Sequence, residues 1–193
     1  MISVRRACDA SRSIAGSPEV VTVVTRNHHW SSRWFADRNR ALWSSFLVRL
    51  PGGNLFFAGD TGMGDGRWPA EAARHGPIRL ALIPVGAFRF QPGQMGTGSH
   101  IGPVDAVEVH RRLGAATSIP IHWGTFRLSY EGWDTPPRLL GHAMRASGQR
   151  GFRAVRIGEP VEVPPYAPPA PAAEVPRAEL LRRLDTPEVR ALR

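Results

Sequence analysis

Short apolar runs, separated by stretches rich in Gly, Pro and Asp, set the pattern of this chain. The runs 19–25, 45–50 and 55–58 are β-branched or aromatic and too short for stable helices, so they predict strands. The second and third runs are joined by Pro51-Gly52-Gly53-Asn54, whose paired glycines permit the positive φ of a hairpin turn. The near-continuous apolar run 80–85 is typical of a strand that is covered on both faces.

A second pattern, with apolar side chains three and four positions apart, predicts helices between later strands. One helix begins at Pro103 and runs to about Leu113, and another begins at Thr135-Pro136-Pro137 and runs to about Ser147. The remaining predicted elements are a short helix at 70–75 and strands at 118–121, 152–157 and 161–163. Because strands and helices alternate, the pattern predicts an α/β fold with its site at the strand ends.

Composition divides the chain into three parts. Residues 1–18 contain Arg and Ser but no continuous apolar run, which predicts an irregular segment that is neither a signal peptide nor a membrane anchor. Residues 19–163 form the predicted domain. Residues 164–193 begin as a Pro-rich linker and end in two short amphipathic helical turns, whose Leu residues we expect to dock on the domain; binding to a partner is the alternative.

Charge and cysteine content narrow the classes of partner. The formal net charge is +9, yet all 25 basic residues are Arg and they are scattered without a nucleic-acid-binding motif, so we expect no nucleic-acid partner. Cys8 is the single cysteine, which excludes an intrachain disulfide and favours a cytoplasmic location. No apolar run reaches the roughly 18 residues of a spanning helix. The sequence leaves contact with a membrane surface as an alternative.

Three positions place a His or Asp where an apolar strand ends: His29, Asp60 and His122. Two imidazoles and a carboxylate are the ligands that a hydrolytic zinc centre uses. Successive side chains of extended backbone point to opposite sides, so only one of His28 and His29 can enter a shared site, and we assign His29. As alternatives, Asp60 is a turn-former before Thr61-Gly62, and His122 has a hydrogen-bond partner instead of a metal.

Several ordered motifs identify a family. They are His29-Trp30-Ser31-Ser32-Arg33, Asp37-Arg38-Asn39-Arg40-Ala41-Leu42-Trp43, Phe57-Ala58-Gly59-Asp60-Thr61-Gly62, Ile83-Pro84-Val85-Gly86-Ala87-Phe88 and Ile121-His122-Trp123-Gly124-Thr125-Phe126. Over about residues 20–157 the chain resembles the metallo-β-lactamase-fold hydrolases, and within them the branch that resembles N-acylphosphatidylethanolamine phospholipase D. The resemblance implies an αββα sandwich with a two-zinc centre at one edge.

The resemblance also implies a role for each site residue. His29 would bind the first zinc, Asp60 would bridge both ions and hold the reacting water between them, and His122 would bind the second zinc. His100 matches a pocket histidine of that branch, which would polarise the scissile group or protonate the leaving group. A position on a surface loop is the alternative for His100.

The family's His-x-His-x-Asp-His motif is absent from this chain. We therefore expect the chain to form only the C-terminal half of the sandwich. It should bind well under the two zinc ions per chain that the family holds, and its uncovered sheet should make it poorly stable or self-associating. Three functions follow. The first is a zinc-dependent phosphodiesterase, resembling phospholipase D, that acts on a small molecule or a phospholipid. The others are an esterase or lactonase of the same fold and a non-enzymatic remnant.

Two further groups of residues bear on the substrate. The arginines near the first ligand segment, Arg26, Arg33, Arg38 and Arg40, suit a phosphate group or form a solvated face. The apolar residues of the Gly-rich loop 86–102, Phe88, Phe90 and Met95, line a site for an acyl chain or fill the core.

Overall fold

A mixed sheet of six strands organises residues 9–12 and 20–192, the part of the chain that the computed structural model describes. The strands are β1 (Asp9–Arg12), β2 (Val20–Thr25), β3 (Ser45–Val48), β4 (Asn54–Phe57), β5 (Ile78–Pro84) and β6 (Thr117–Ile121). The helices are α1 (Trp68–Ala73), α2 (Pro103–Leu113), α3 (Thr135–Ser147), α4 (Arg177–Arg183) and α5 (Pro187–Arg190). The predicted α/β class is confirmed.

Strand direction decides where the loops emerge. Strands β1 to β4 pair antiparallel in sequence order, whereas β5 pairs parallel with both β4 and β6. Strands β2, β4, β5 and β6 therefore run in one direction. Because the carboxyl ends of strands with the same direction meet at one edge of a sheet, the four loops that follow these strands begin side by side.

One face of the sheet forms the core with the helices. Val23, Leu47, Phe56 and Ala81 lie opposite one another on successive strands and are fully buried. Trp68 of α1 and the apolar faces of α2 and α3 complete the same buried cluster. The alternation of side chains along each strand puts every second residue on this face, as the sequence pattern predicts.

The other face carries a second apolar row that the described residues leave partly open. Phe46 and Phe57 are register partners on β3 and β4, and they are 40% and 38% exposed. Their neighbours Val24, Leu82 and Ile119 are half-buried. The described residues thus form one sheet and one helical layer of the predicted αββα arrangement.

The structure differs from the sequence prediction at four elements. Strands predicted at 152–157 and 161–163 are wrong, because only Phe152 reaches the sheet, through a single bridge to Ser118. Gly158 has a left-handed backbone conformation that turns the chain, and Pro160 has no N–H to donate to a neighbouring strand. Within the segment predicted to be irregular, residues 9–12 form a strand, and Cys8 lies outside the described residues. Helix α1 begins two residues earlier than predicted.

The C-terminal segment is held against the domain. Residues 164–176 have no helix or strand, as their proline content predicts, but Arg79 donates hydrogen bonds to the carbonyl groups of Val163 and Pro164. The Tyr166 N–H donates to the Gly52 carbonyl at 2.9 Å. The apolar residues of α4, α5 and their flanks, Leu180, Leu184, Val189 and Leu192, are at most 5% exposed. Docking of the tail on the domain is confirmed.

Helix length bears on the membrane question. None of the helices in the described part of the chain has both the length and the apolar character that a bilayer crossing requires.

His110, on α2, is a core histidine whose hydrogen bonds fit the neutral ring. Its Nε2–H donates to the Arg150 carbonyl at 2.9 Å, so its Nδ1 accepts the Ser118 hydroxyl at 2.7 Å. The ring is 3% exposed, and burial lowers the pKa of His110 below 6.5, although the bond to Arg150 opposes that shift. Protonation would put a charge among apolar neighbours.

We expect this pKa difference to make the fold less stable in acid. The unfolded chain takes up a proton near the ordinary His pKa of 6.5, while folded His110 stays neutral to lower pH. The free energy of unfolding therefore falls as pH drops through 6.5, by up to about 1.4 kcal/mol per pH unit. Urea unfolding of the chain and of His110→Gln tests this, with His142→Gln as the control. An unchanged pH dependence in His110→Gln would contradict the prediction.

We also expect the open sheet face to cause self-association, because adjacent apolar side chains in water favour contact with another apolar surface. Replacing Phe46 and Phe57 by Ser should shift the chain toward monomer in sedimentation velocity across a concentration series. Ile157→Ser removes an apolar side chain that is 69% exposed elsewhere and serves as the control. A wild-type chain that stays monomeric throughout the series would contradict this expectation.

Candidate metal centre

Four loops at the carboxyl edge of the sheet supply the candidate ligands. His29 follows β2, Asp60 follows β4, His100 lies in the long loop after β5, and His122 directly follows β6. Since these four strands run in one direction, residues far apart in sequence emerge side by side. The predicted convergence of His29, Asp60 and His122 is what the structure shows.

Asp60 lies at the centre of the group. Its Oδ2 is 3.1 Å from Nε2 of His29 and 3.4 Å from Nε2 of both His100 and His122. One ligand atom from each of His29, Asp60 and His100 lies within 4.8 Å of the other two. The centre of the His100 ring is 5.4 Å from that of His29 and 5.7 Å from that of His122. Three imidazoles thus face one carboxylate.

The polar atoms of this group fit a cation. Among the described residues, Nε2 of His29, Oδ1 of Asp60 and Nδ1 of His100 are buried without a hydrogen-bond partner. Although Nε2 of His29 is 3.1 Å from Asp60, the two atoms are not aligned for a hydrogen bond. Buried polar atoms without partners are costly, and a bound metal ion would satisfy them. Nitrogen and carboxylate donors suit zinc and related divalent transition metals.

Backbone carbonyls orient two of the imidazoles. Nδ1 of His29 is 2.7 Å from the Trp30 carbonyl, which can only accept, so Nδ1 carries the proton and Nε2 keeps its lone pair. Nδ1 of His122 makes a longer contact, 3.4 Å, with the Gly86 carbonyl. A Cβ on Gly86 would clash with the His122 carbonyl oxygen, so this approach requires glycine. His122 itself has φ of 61°, a strained value for a residue with a side chain.

Proton affinities reflect this arrangement. Burial alone would raise the pKa of Asp60, but hydrogen bonds from His100 and His122, together with their charge, hold that pKa well below its usual range. The hydrogen bond to Asp60 correspondingly raises the pKa of His122, against the effect of burial. The Asp60 carboxylate is therefore ionised at neutral pH, as a metal ligand must be.

His100 is placed by the loop around it. Its N–H donates to the Thr97 hydroxyl at 2.8 Å, and its carbonyl accepts from the Thr97 N–H at 2.9 Å. The next residue, Ile101, is fully buried and its N–H donates to the Thr61 carbonyl. These contacts hold the His100 ring beside Asp60. The structure places His100 with the candidate ligands, whereas the sequence assigned it a catalytic part.

Two supporting residues were missed at the sequence level. The Asn27 amide donates to the carbonyls of Ala58 and Asp60 at 3.1 and 3.3 Å, which ties the end of β2 to the end of β4. The Glu131 carboxylate is buried and accepts from the N–H groups of Phe88 and Arg89. Glu131 thereby fixes the loop that carries the Gly86 carbonyl. Neither partner is a neighbour in sequence, so no local pattern reveals these contacts.

Other sequence alternatives are resolved by geometry. His28 is exposed, while His29 turns toward Asp60. Arg26 is paired with Asp65 and Glu71, so it is not available for a substrate phosphate. In the Gly-rich loop, Phe88 is fully buried and Met95 packs against the core. Phe90 is 41% exposed, and its ring centre is 6.1 Å from that of His100, so it alone of the three lies at the site.

Solved structures share this fold. The chain superimposes with a TM-score of 0.56 on Igni18, a metallo hydrolase from the archaeon Ignicoccus hospitalis, at 16% identity, covering 78% of this chain and 56% of that one. It superimposes with a TM-score of 0.57 on an isothiocyanate hydrolase from Delia radicum gut bacteria, at 12% identity, covering 83% and 60%. At such identities the likeness establishes the fold alone.

Curated relatives are closer in sequence. The chain is 37% identical over 110 residues to N-acyl-phosphatidylethanolamine-hydrolyzing phospholipase D 1 of Caenorhabditis elegans, covering 57% of this chain and 30% of that protein. A mitochondrial N-acyl-phosphatidylethanolamine-hydrolyzing phospholipase D of Saccharomyces cerevisiae is 37% identical over 114 residues, covering 58% and 24%. A UPF0173 metal-dependent hydrolase of Opitutus terrae is 34% identical over 124 residues, covering 62% and 45%. The chain spans less than half of each relative.

The family pattern described as "Beta-lactamase superfamily domain" matches residues 5–123. That range is more than half of the chain, and it contains all four side chains of the candidate centre. The chain therefore belongs to the β-lactamase superfamily.

Proposed function

We propose that this chain carries a zinc-dependent hydrolytic centre that acts on phosphodiesters of the phospholipid class. The observation that carries the proposal is the group of three imidazoles around one ionised carboxylate, with three buried polar atoms that lack partners. The names of two relatives, which hydrolyse N-acyl-phosphatidylethanolamine, support the substrate class. The name of a third supports metal dependence.

The residues that would hold the metal are His29, Asp60 and His100, and His122 lies 3.4 Å from the same carboxylate oxygen of Asp60. A metal ion bound there supplies Lewis-acid chemistry, which acidifies water and polarises an oxygen of the scissile group. The imidazoles bind through nitrogen, and the carboxylate provides the negative charge that balances the ion. Such a donor set is typical of zinc sites that hydrolyse esters and phosphodiesters.

The remaining groups position a substrate. Phe90 and Trp30 stack beside the rings of His100 and His29 and are each 41% exposed, so they offer apolar contact next to the ligands. Arg38 lies over the Trp30 ring, 5.0 Å from its centre. A guanidinium group beside an apolar wall suits a phosphate that is attached to a lipid. These contacts favour a phosphodiester over a simple ester or lactone.

We expect zinc to bind through His29 and not through its neighbour. His29→Ala should lower the zinc affinity of the purified chain by more than about 100-fold, because it removes a ligand, and outer-shell changes alone cost about 10- to 100-fold. His28→Ala is the matched control, since His28 is adjacent but exposed. Isothermal titration and elemental analysis measure the difference. Equal affinity in both variants would contradict the assignment of His29.

We expect Asp60→Asn to lower zinc-dependent hydrolysis of a phosphodiester by more than about 100-fold, because Asn keeps the shape but not the charge that balances the ion. Asp65→Asn, which removes a carboxylate near the surface, should keep activity. Hydrolysis is measured on a phosphodiester and on a carboxylic ester of matched chain length. A zinc-loaded chain that hydrolyses only the ester would replace the proposed substrate class with an esterase. A zinc-loaded chain inactive on both would support the non-enzymatic alternative.

A further inference from the structure

Two loops begin at the carboxyl edge of the sheet, beside the candidate metal centre, and expose large apolar side chains to solvent. The first loop (30–42) follows His29, and the second loop (123–133) follows His122. The exposed side chains are 55 to 98% accessible, and they are Trp34, Phe35, Leu42, Phe126, Leu128, Tyr130 and Trp133. Single exposed apolar residues are ordinary, but seven on two loops beside one site mark a surface that meets an apolar partner.

The first loop holds its aromatic tip outward by its own hydrogen bonds. The Asp37 carboxylate accepts from the N–H groups of Arg33 and Trp34 at 2.9 and 2.8 Å and from the Ser32 hydroxyl at 3.1 Å. Ser31 and Asn39 close the base of the loop with two hydrogen bonds. Phe35, at 98% exposure, is therefore presented by an ordered turn. A surface that is already ordered loses little conformational entropy when it binds.

The second loop is tied to the site from the other side. The Tyr130 N–H donates to the Arg89 carbonyl at 2.7 Å, and Glu131 accepts from two backbone N–H groups of the same segment. Phe126 and Leu128 precede these contacts and are 76% and 59% exposed. These contacts hold both loops in place relative to His29 and His122, the candidate ligands that the loops follow.

Charge indicates which apolar partner fits. Among the described residues, no carboxylate lies within 4.0 Å of the guanidinium groups of Arg33, Arg38 and Arg40 in the first loop or of Arg127 in the second. The one carboxylate of the first loop, Asp37, accepts from backbone N–H groups and offsets only one of the three positive charges, so the loop keeps a net positive charge. Exposed aromatic rings beside unpaired guanidinium groups suit the headgroup region of an anionic bilayer.

We propose that the two loops dock on an anionic lipid surface, with Trp34 and Phe35 entering the boundary between headgroups and acyl chains and the arginines contacting lipid phosphates. Docking in this orientation sets the carboxyl edge of the sheet against the bilayer, where a phospholipid substrate is available. Only that last benefit rests on the proposed function, because the docking depends on the loops and not on hydrolysis. Interfacial binding grows with buried apolar area and with attraction to anionic lipid.

The test is co-sedimentation with vesicles of phosphatidylcholine alone and of phosphatidylcholine with phosphatidylglycerol in equal parts. All chains carry Asp60→Asn, so a failed hydrolysis assay leaves the vesicle result unaffected. We expect binding to the anionic vesicles that weakens as salt rises. Replacing Arg33, Arg38 and Arg40 by Gln should lower the partition coefficient about 100-fold, since each contributes roughly fivefold near an anionic surface. Replacing Trp34 and Phe35 by Ser should lower it at least about tenfold.

Matched controls separate docking from net charge. Replacing Arg49, Arg74 and Arg153, exposed arginines outside both loops, by Gln removes the same charge and should leave binding within about twofold of the parent. Val20→Ser with Leu50→Ser removes two exposed apolar side chains elsewhere and should do the same. Equal losses in control and loop variants would overturn the proposal. The proposal would also be overturned if the parent chain did not bind anionic vesicles but formed dimers, and if replacing Trp34 and Phe35 dissociated those dimers.

Discussion

An ionised carboxylate held among three imidazoles is the constraint on which this structure depends. Burial favours the neutral form of Asp60, but the nearby imidazoles of His100 and His122 outweigh that effect and lower its pKa. Buried polar atoms of His29, Asp60 and His100 nevertheless lack a hydrogen-bond partner. Protein contacts alone do not satisfy this group, and a cation would satisfy it. The sheet directions, the strained backbone at His122 and the glycine at position 86 all serve to assemble it.

The residues that stabilise the fold and the candidate metal ligands lie in different parts of the sheet. The helical face holds the continuous apolar row of Val23, Leu47, Phe56 and Ala81, which fixes the strands relative to one another. The carboxyl edge holds every candidate ligand on loops. Asn27 and Glu131 connect the two regions, because each binds backbone groups of a loop that begins at a buried strand. Substitutions at these two residues would disturb the centre without touching the core.

Local patterns predicted much of this architecture. The boundaries of α2 and α3 and the strand that ends before His122 follow from Pro positions and apolar spacing, and motif resemblance identified His29, Asp60, His100 and His122 as site residues. The sequence did not predict that His100 lies among the candidate ligands, because the position of the His100 ring depends on its contacts with Thr97 and on the burial of Ile101. The prediction of strands at 152–157 and 161–163 was wrong, because apolar composition does not show whether a segment pairs with the edge of the sheet. Contacts such as Glu131 with Phe88 link segments that are 43 residues apart.

The direction shared by β2, β4, β5 and β6 ties ligand assembly to cooperative folding. Each ligand follows a different strand, so the centre spans the sheet from β2 to β6 and its assembly requires the pairings between those strands. A cation that binds the assembled group then stabilises every pairing together, by an amount set by its affinity and concentration. Metal availability would therefore act as a folding cofactor for the whole sheet, and a defect at any one strand would lower metal affinity even where its ligand is intact.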